Sequence, residues 1–454
     1  MKNSNYKRSI FFALLVIFLT GCREDLLELS PVTTLTMDQF YKTQADFETA
    51  IMGVYSGWAD MTVRPMMMAE LRSDNIGGNN LLYAEFTNNS FSLNGTNVFW
   101  SPFYLNVINP SNIILNTIDA IEMDAATKNR IKGEALFFRG WSYYWMNLWF
   151  EGVPLVVKPL TIEESFQMGR STTEQTWAQV ENDLKTAITV LPATKANYGR
   201  INKYDAATFL AKAYMQQKKW QDAKTLLADV FSNSGRSLQP KWADLWTISG
   251  QQSSPELMLA SIWNDNFPDD DMGQYVPIPS GGFRFVEVKS GLLESFEAGD
   301  IRKDESVGVI SGQTWNYKYD FGYKVGVAGF VSDVVVLRFT DVQLLYAEVL
   351  TMAAGSVQQQ SLDLINQVRK RAGLGDILMS NVPTLDSFTN LILAERRSEF
   401  VWECQRYVDL KRYGKLVEKV NATGRNFNEN YNRIPIPQSE IDKMGGVLVQ
   451  NPGY

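Results

Sequence analysis

The sequence predicts a mainly α-helical protein, a tetratricopeptide-like α-α superhelix overlaid by irregular loops and short strands. Three observations predict this fold class. Apolar residues recur at helical spacing along much of the chain, one helical pair carries small residues where two helices approach closely, and stretches rich in Gly, Pro and Asp interrupt the pattern. Because a helical pair cannot bury its apolar face alone, several pairs must stack on one another.

The chain begins with the pattern of an export signal. Lys2, Lys7 and Arg8 precede an apolar run at positions 10–19, and a small Thr-Gly pair follows it. A basic, apolar, small order is typical of secretory signals, and the run is shorter than the roughly 20 residues that a membrane span needs. We therefore predict a signal peptide at residues 1–21.

Cys22 follows this signal directly. The LTGC sequence resembles the lipobox of bacterial lipoproteins, in which this cysteine is acylated and becomes the mature N-terminus. Acyl chains hold such a protein at a membrane surface, each buried methylene contributing about 0.8 kcal/mol. The pair Glu24-Asp25 resembles an export tag that sends some lipoproteins of Bacteroidetes-type bacteria to the outer face of the outer membrane. The alternative is an ordinary signal peptide with an incidental cysteine.

Composition excludes several classes of function. Removal of the signal takes three positive charges from a chain whose net charge is −7, and such an acidic surface repels nucleic acid. The chain has no histidine, which excludes Ser-His-Asp and Cys-His catalysis and every zinc site that uses histidine. Cys404 is the one cysteine left beside Cys22, so the mature domain forms no internal disulfide. We predict no cofactor.

The N-terminal third is predicted to be helical around one long loop. Thr36 is the expected N-cap of the first helix. The apolar face of this helix consists of Phe40, Phe47, Ile51, Val54 and Tyr55. Residues 71–97, rich in Gly, Asn and Ser, predict a long loop, and long loops in compact domains are usually functional. Helical spacing resumes at residues 98–121 and 127–149.

Residues 202–231 predict a tetratricopeptide-like helical pair. Its characteristic positions are occupied by Leu210, Ala211, Tyr214 and Ala223. An ordinary helical hairpin is the alternative. Two later segments, at residues 338–374 and 384–414, repeat the architecture loosely.

The remaining segments lack a helical period. Residues 239–336 place Pro, Gly and Asp between aromatic residues, which predicts loops and short strands laid over the scaffold. The tail at residues 432–454 is punctuated by proline and predicts irregular structure. We divide the mature chain into a helical-repeat region at 22–240 and a C-terminal region at 241–454, in which a loop-rich insert precedes further helices.

Six motifs occur in order along the mature chain: FYKTQADFETAIMGVY, GEALFFRGWSYYWMNLWFEGVPLV, GRINKYDAATFLAKAYM, LINQVRKRAGL, ERRSEFVWECQRYVDLKRYG and the QNPGY ending. Together with the lipobox they resemble the SusD/RagB family of outer-membrane nutrient-binding lipoproteins. The resemblance covers nearly the whole mature chain. Departures at Glu151-Gly152, at residues 339–341 and near Gly445 concern packing and turns.

The resemblance implies a lipid-anchored, mostly helical protein that is not an enzyme. Such a protein sits over a SusC-like TonB-dependent transporter, captures an oligosaccharide, polysaccharide or similar nutrient, and passes it on. The helical repeats are expected to contact the transporter, and the loops opposite are expected to contact the ligand. The implied location is the outer membrane, at the cell surface, with outer-membrane lipid reached through an acylated Cys22.

The charged run near the C-terminus has two interpretations. Its members are Arg396, Glu399, Glu403, Arg406, Asp409 and Arg412. Glu399 and Glu403 are four residues apart and share a helical face, as catalytic carboxylates or ion-pair partners could. Members of the family that bind without chemistry carry the same run, so we favour a structural ion-pair network.

Candidate ligand-binding residues lie in the loops. A sugar ring has a face of C–H bonds that stacks on aromatic rings, and hydroxyls that need amide or carboxylate partners. The stretches that combine both residue types contain Asn79, Asn80, Tyr83 and Phe86; Trp263, Asn264 and Asp265; and Trp315, Asn316, Tyr317 and Tyr319. For each ring, buried packing is the alternative. Residues 269–271, three aspartates, predict a solvated acidic turn more readily than a calcium site, because they lack EF-hand spacing.

We therefore predict a surface lipoprotein that binds a glycan and works with a transporter. One alternative is a surface glycoside hydrolase that uses two carboxylates. Another is a docking subunit, either without a ligand of its own or binding a non-glycan nutrient such as a peptide.

Overall fold

The structure is a computed structural model that describes residues 40–78, 81–195, 197–263, 286–289, 291–310, 313–319 and 332–454. Most of these residues are helical. The α-helices are α1 (Gln44–Leu71), α2 (Leu81–Asn88), α3 (Asn109–Thr117), α4 (Ala125–Phe150), α5 (Ile162–Phe166), α6 (Thr173–Val190), α7 (Lys203–Gln216), α8 (Trp220–Asn233), α9 (Ile248–Ser253), α10 (Arg302–Ser306), α11 (Phe339–Ala354), α12 (Gln359–Arg371), α13 (Leu385–Glu399), α14 (Arg406–Arg412), α15 (Leu416–Asn421) and α16 (Gln438–Lys443).

The strands are short and pair two by two. They are β1 (Ile76–Gly78), β2 (Leu257–Ser261), β3 (Val286–Val288), β4 (Val307–Ile310), β5 (Gln313–Asn316) and β6 (Val334–Arg338). The antiparallel pairs are β1 with β3, β2 with β6, and β4 with β5. The described parts of residues 239–336 contain the predicted loops and short strands, and in addition the short helices α9 and α10.

Helix α1 begins at a capping box. Asp46 donates its amide to Thr43 Oγ1, and its carboxylate accepts the amide of Thr43 at 2.8 Å. Thr36, which the sequence suggested as the N-cap, lies outside the described residues. Of the predicted face, Phe47, Ile51 and Val54 have no exposed surface and Tyr55 is buried, whereas Phe40 precedes the helix and is partly exposed.

Helix α4 lies at the centre of the scaffold and is almost continuously buried from Ile131 to Phe150. Two glycines let α6 pack closely against it. A Cβ atom at Gly133 would lie 2.5 Å from Leu191 Cγ, and one at Gly140 would lie 3.1 Å from Leu184 Cγ. Helices α1 and α3 contact α4 as well. A single cluster of buried apolar residues forms around it.

The other long helices continue the stack. Helix α6 contacts α7, α7 contacts α8, and α8 contacts α11, which in turn contacts α12 and α13. The pair predicted at residues 202–231 is the α7–α8 hairpin, and the segments at 338–374 and 384–414 supply α11 to α14. The predicted mainly α-helical superhelix is confirmed.

Two sequence-based expectations need correction. Residues 71–97 are not one long loop, because they contain β1 and α2. The apolar side chains of Tyr83 and Phe86 bury one side of α2, which outweighs the polar composition around them.

Residues 98–121 do not form one regular helix. They contain a 3₁₀ turn, a π-helix at Phe103–Ile108, α3 and a second 3₁₀ turn. The amide of Asn109 donates to the carbonyl of Tyr104, five residues back. Pro110 has no amide N–H, so the α-helical hydrogen-bond pattern is interrupted at this point.

The C-terminal tail is largely irregular, as predicted, apart from a 3₁₀ turn at Glu429–Asn432 and α16. Together with Arg425, which precedes it, the tail completes helices from the other end of the chain. Arg425 Nη1 donates to the carbonyl of Leu71 at 2.9 Å, and Asn451 Nδ2 donates to the carbonyl of Phe150 at 3.0 Å. These bonds satisfy carbonyl groups at the C-terminal ends of α1 and α4.

Among the helices that the structure describes, none is both long enough and apolar enough to cross a membrane.

Candidate functional site

Two short ribbons bring together chain segments that are far apart in sequence. In the β1–β3 ribbon, Gly78 pairs with Val286. Strand β1 ends at Gly78 and β3 begins at Val286, so the chain leaves β1 and enters β3 at the same end of this ribbon. Gly78 is required there, since a Cβ atom would lie 2.2 Å from Tyr83 Cβ.

The β2–β6 ribbon has the same property. Ser261 pairs with Val334 at one end, where Ile262 and Trp263 follow β2 and Ser332 and Asp333 precede β6. Ser261 Oγ lies 2.9 Å from Thr62 Oγ1 in the C-terminal half of α1, the helix that leads into β1.

Strand β5 completes the arrangement by contacting β3. Helix α1 contacts β1, β2 and β6, so both ribbons lie against this helix, and the described parts of the three stretches predicted to bind ligand adjoin the ribbons and the β4–β5 hairpin. We call this region the loop junction, defined by Gly78, Trp263, Val286, Tyr317 and Asp333. No single stretch of sequence contains it, because its parts come from positions that are more than 200 residues apart.

Within the loop junction, Asp333 organises one aromatic group. Its Oδ1 accepts the amide of Trp263 at 2.9 Å, and its Oδ2 accepts the hydroxyl of Tyr198 at 2.7 Å. Burial raises the pKa of the Asp333 carboxyl above its usual value. Trp263 Nε1 donates to Ser261 Oγ at 2.9 Å, which fixes the indole orientation.

Trp263 is only partly buried, and its neighbour Ile262 is 42% exposed. Ile262 packs over Gly199, where a Cβ atom would lie 2.1 Å from Ile262 Cδ1. Tyr198, Ile262 and Asp333 were not singled out from the sequence. Two local patterns could have indicated them. Tyr198 precedes a glycine, and Asp333 directly precedes an apolar run that forms a buried strand.

The other predicted ligand residues have different surroundings. Asn79, Asn80, Asn264 and Asp265 lie outside the described residues, and Trp315 pairs with Gly308 through the backbone of β5. Tyr317 is partly buried and lies over Gly308. The buried members are Tyr83, Phe86, Asn316 and Tyr319, which are 5%, 1%, 2% and 2% exposed. Phe86, for example, packs edge to face on Phe91 and Phe99.

Beside the β4–β5 hairpin lies a dense group of buried ions, which we call the charge cluster. It consists of Glu256, Asp300, Arg302, Lys318, Arg338, Arg371, Glu395, Glu399 and Glu403. At most 5% of any of these side chains is exposed.

Arg338 and Glu399 lie at the centre of the charge cluster. Arg338 Nη1 lies 2.6 Å from Glu399 Oε1, and Arg338 Nε lies 2.7 Å from Glu403 Oε2. Burial by itself would raise the pKa of Glu399, but Arg371, Arg338 and Arg302 hold it well below its usual value. Glu399 is therefore charged, and both carboxylates are paired with Arg338.

A second buried group joins α13 and α14 to the rest of the scaffold. Arg396 bridges Asp341 and Asp409 at 2.8 Å each, and Arg412 Nε lies 2.7 Å from Glu348 Oε1. The two remaining members of the predicted charged run are also paired. Glu403 pairs with Arg338, and Arg406 pairs with Asp74. The ion-pair network predicted for this run is confirmed.

Within the described ranges, no three Cys, Asp or Glu side chains are arranged to hold a metal ion. The three aspartates at 269–271 and the predicted acylation site Cys22 lie outside those ranges. Cys404 is a free, buried thiol whose pKa is raised well above its usual value by burial.

Two family models match this chain. A SusD-like family model described as "Starch-binding associating with outer membrane" matches residues 25–215, and a model of the SusD family matches residues 318–454. The chain belongs to the SusD/RagB family. Together the two models span most of the α-helical stack and much of the charge cluster, except Glu256, Asp300 and Arg302.

Individual SusD/RagB proteins match over their full length. SusD-like protein P2 of Formosa agariphila is 24% identical, and the match covers 99% of this chain and 100% of that protein. A structure of surface glycan-binding protein A from Bacteroides fluxus has a TM-score of 0.80 at 20% identity, covering 91% of this chain and 100% of the other. The protein of the same name from Bacteroides thetaiotaomicron, in complex with laminarihexaose, has a TM-score of 0.76 at 21% identity, covering 90% and 100%. These structures share the SusD fold.

Proposed function

We propose that this SusD/RagB protein binds an oligosaccharide or polysaccharide at the loop junction and passes it to a SusC-like TonB-dependent transporter. The observation that carries the proposal is the partly exposed Trp263 at the end of the β2–β6 ribbon, where Asp333 and Ser261 hold it and the hydroxyl of Tyr198 lies close by. The solved relatives described as surface glycan-binding proteins support the same class of ligand.

The chemistry of the loop junction suits a sugar. Trp263 and Tyr317 retain exposed surface on which the C–H face of a sugar ring can stack. Asp333 and the hydroxyl of Tyr198 lie beside Trp263, where they can bond to sugar hydroxyls. Binding by stacking and hydrogen bonding requires no chemical step, so we propose a binding protein and not an enzyme.

We further propose that Cys22 is acylated and holds the protein at the outer membrane, exposed at the cell surface. The description of the family as associating with the outer membrane supports this location. Mass spectrometry of the mature protein should find a lipid-modified Cys22. The Cys22→Ser variant should leave the membrane fraction, and an unmodified N-terminus would contradict the proposal.

For the transporter, we propose that the helical stack provides the docking face, on the side away from the loop junction. Affinity purification of the intact lipoprotein from its own membrane should recover a TonB-dependent transporter. Recovery of the lipoprotein alone from gently solubilised membranes would count against this partnership.

Calorimetric titration tests ligand binding directly. The panel should include laminarihexaose and maltohexaose, with a peptide mixture as a second class of nutrient. We expect Trp263→Ala and Tyr317→Ala each to weaken glycan binding about 2- to 12-fold, as expected for loss of roughly 0.5–1.5 kcal/mol of ring contact. Phe166→Ala, which removes a ring that is 44% exposed on α5, is the matched control and should bind normally.

Other outcomes of the titration have defined meanings. Binding of peptides but of no glycan would overturn the ligand class. Release of reducing sugar from a polysaccharide by the purified protein would favour a hydrolase. Normal nutrient uptake by cells carrying both ring substitutions would favour a docking subunit without a ligand of its own.

A further inference from the structure

The WNYKY stretch at residues 315–319 contains a partly exposed ring, Tyr317, next to buried side chains. Tyr317 is partly exposed in the loop junction, whereas Lys318 and Tyr319 are 0% and 2% exposed. Tyr317, the middle residue of this stretch, thus retains exposed surface, whereas its neighbours Asn316 and Lys318 belong to the protein interior. A lysine without exposed surface is unusual enough to require a specific reason.

The Lys318 ammonium is fully hydrogen-bonded. Its Nζ donates to the carbonyl oxygens of Glu399 at 2.9 Å and Val401 at 3.0 Å, and to Glu403 Oε1 at 2.6 Å. An ammonium has three N–H bonds, so each finds one acceptor. The carbonyl of Glu399 is at the C-terminal end of α13, where no later residue of the helix can satisfy it, and the carbonyl of Val401 is in the turn that follows.

Aromatic rings enclose the same ammonium. Nζ lies 5.0 Å from the ring centroid of Trp242 and 4.6 Å from that of Trp246. Both distances are within the range of a cation–π interaction, which is strongest for indole. Tyr319 packs edge to face on Trp246 at 5.3 Å, so both inward-facing residues of the stretch contact this indole.

The turn that Lys318 holds is conformationally costly. Trp402 and Cys404 have φ values of 68° and 63°, in the left-handed region that side chains other than glycine avoid. The turn is also tied to the hairpin directly. The carbonyl of Ser306 accepts both the indole N–H of Trp402 and the backbone N–H of Tyr317, each at 3.1 Å.

From this geometry we propose that Lys318 is the positioning residue of the binding site, one that clamps the β4–β5 hairpin to the 399–404 turn and thereby places Tyr317 in the loop junction. Lys318 does not itself touch the ligand. This inference rests on the proposed function, because it assigns the clamp a role in glycan affinity.

The charges around Lys318 make the clamp sensitive to pH. Burial lowers its pKa to about 8, with Arg338 of β6 acting in the same direction and Glu403 and Glu399 opposing it. Glu70 of α1 and Cys404 of the turn also interact with this ammonium. Above pH 8, a neutral amine has two N–H bonds for three acceptors, so the clamp should loosen.

The test uses the full chain and the Lys318→Met variant, which keeps the length of the side chain and removes its charge. We expect amide hydrogen exchange at residues 313–319 to become faster and affinity for laminarihexaose or maltohexaose to fall roughly tenfold or more, since an unclamped loop must be ordered on binding. Unchanged affinity combined with faster exchange would overturn the proposal. Lys158→Met, an exposed lysine, is the matched control and should change neither quantity.

A pH series separates positioning from general stability. Wild-type affinity should fall between pH 7 and pH 9, and the affinity of Lys318→Met should be flat over this range. If Lys318→Met does not fold, Trp246→Leu, which removes one wall of the cage, should give the same pattern with a smaller effect, and normal affinity in that variant would overturn the proposal. If the wild-type chain binds neither oligosaccharide, the proposed function fails, whereas unchanged exchange in Lys318→Met would show that the clamp itself is wrong.

Discussion

Helix α4 and the charge cluster are buried to a similar degree but by different means. Around α4, rings meet edge to face or tilted, as between Trp141 and Trp145 at 6.4 Å and between Trp145 and Trp149 at 5.4 Å. In the charge cluster, three arginines and a lysine meet five carboxylates. Apolar contacts have little directional preference, whereas every buried ion needs a partner in a fixed direction.

This difference teaches which kind of change each region tolerates. The apolar region should accept any side chain of similar volume, because it loses only part of its packing. The charge cluster should fail when one partner is removed, because the charges that remain are buried without compensation. Three predictions test this contrast.

The largest effect is expected for Arg338→Met. This change leaves Glu399 and Glu403 buried beside fewer cations, so we expect the free energy of unfolding to fall by about 3–5 kcal/mol, measured by urea denaturation. Lys158→Met is the control, because its pair with Glu164 is exposed and should contribute less than about 1 kcal/mol. An effect of Arg338→Met no larger than that of the control would remove the distinction between the two regions.

Glu70 illustrates how burial changes the pKa of a carboxyl group that has no close cation. It forms no ion pair within 4 Å among the described residues, and its Oε1 accepts the side-chain amide of Asn75 at 2.9 Å and the backbone amide of Trp402 at 3.2 Å. Burial raises its pKa to about 7 from an ordinary value of 4.5, the opposite of the shift at Glu399. The folded chain therefore binds more protons than the unfolded chain between those two values.

Stability from this group is accordingly lost as the pH rises from about 4.5 to 7. We expect Glu70→Gln, which mimics the protonated acid, to gain stability relative to wild type over that interval, by up to about 3 kcal/mol. Urea denaturation of both proteins at pH 5 and pH 8 measures the difference. A constant difference at the two pH values would show that Glu70 is already ionised in the folded protein.

The smallest effect concerns conservative exchanges. Leu184→Met, beside Gly140, should cost less than about 1.5 kcal/mol, because the volume is nearly conserved. Arg338→Lys keeps the charge but loses the planar fork that reaches several acceptors, so it should cost about 2 kcal/mol more than the leucine exchange. Equal costs in urea denaturation would mean that charge alone, without direction, holds the charge cluster together.

The same contrast explains what could be predicted from the sequence. Helices α1, α4, α7 and α8 follow from the spacing of apolar residues, because packing in that region depends on periodicity. Partners in the charge cluster do not follow from spacing. Arg338 contacts Glu256, Glu399 and Glu403, which lie between 61 and 82 residues away in the chain.

The residue types of the candidate site could be predicted from the sequence. Which of its aromatic side chains are exposed could not. The sequence marked Trp263 and Tyr317 together with Phe86 and Tyr319, and nothing local distinguishes a ring at a ribbon end from a ring in the core. Phe86 is buried because α2 packs on its neighbours, and Tyr319 is buried because it contacts Trp246. Both facts depend on tertiary contacts between distant segments.

The bonds from the C-terminal segment to the end of α1 constrain the order in which the chain can fold. Asp74 pairs with Arg406, and the carbonyl of Leu71 accepts from Arg425, so these groups at the end of the first long helix lack these native partners until residues more than 300 positions later have emerged from the ribosome. Contacts of such long range form slowly. The nascent chain must therefore remain incompletely folded until nearly all of it has been synthesised. Until then it depends on protection from aggregation.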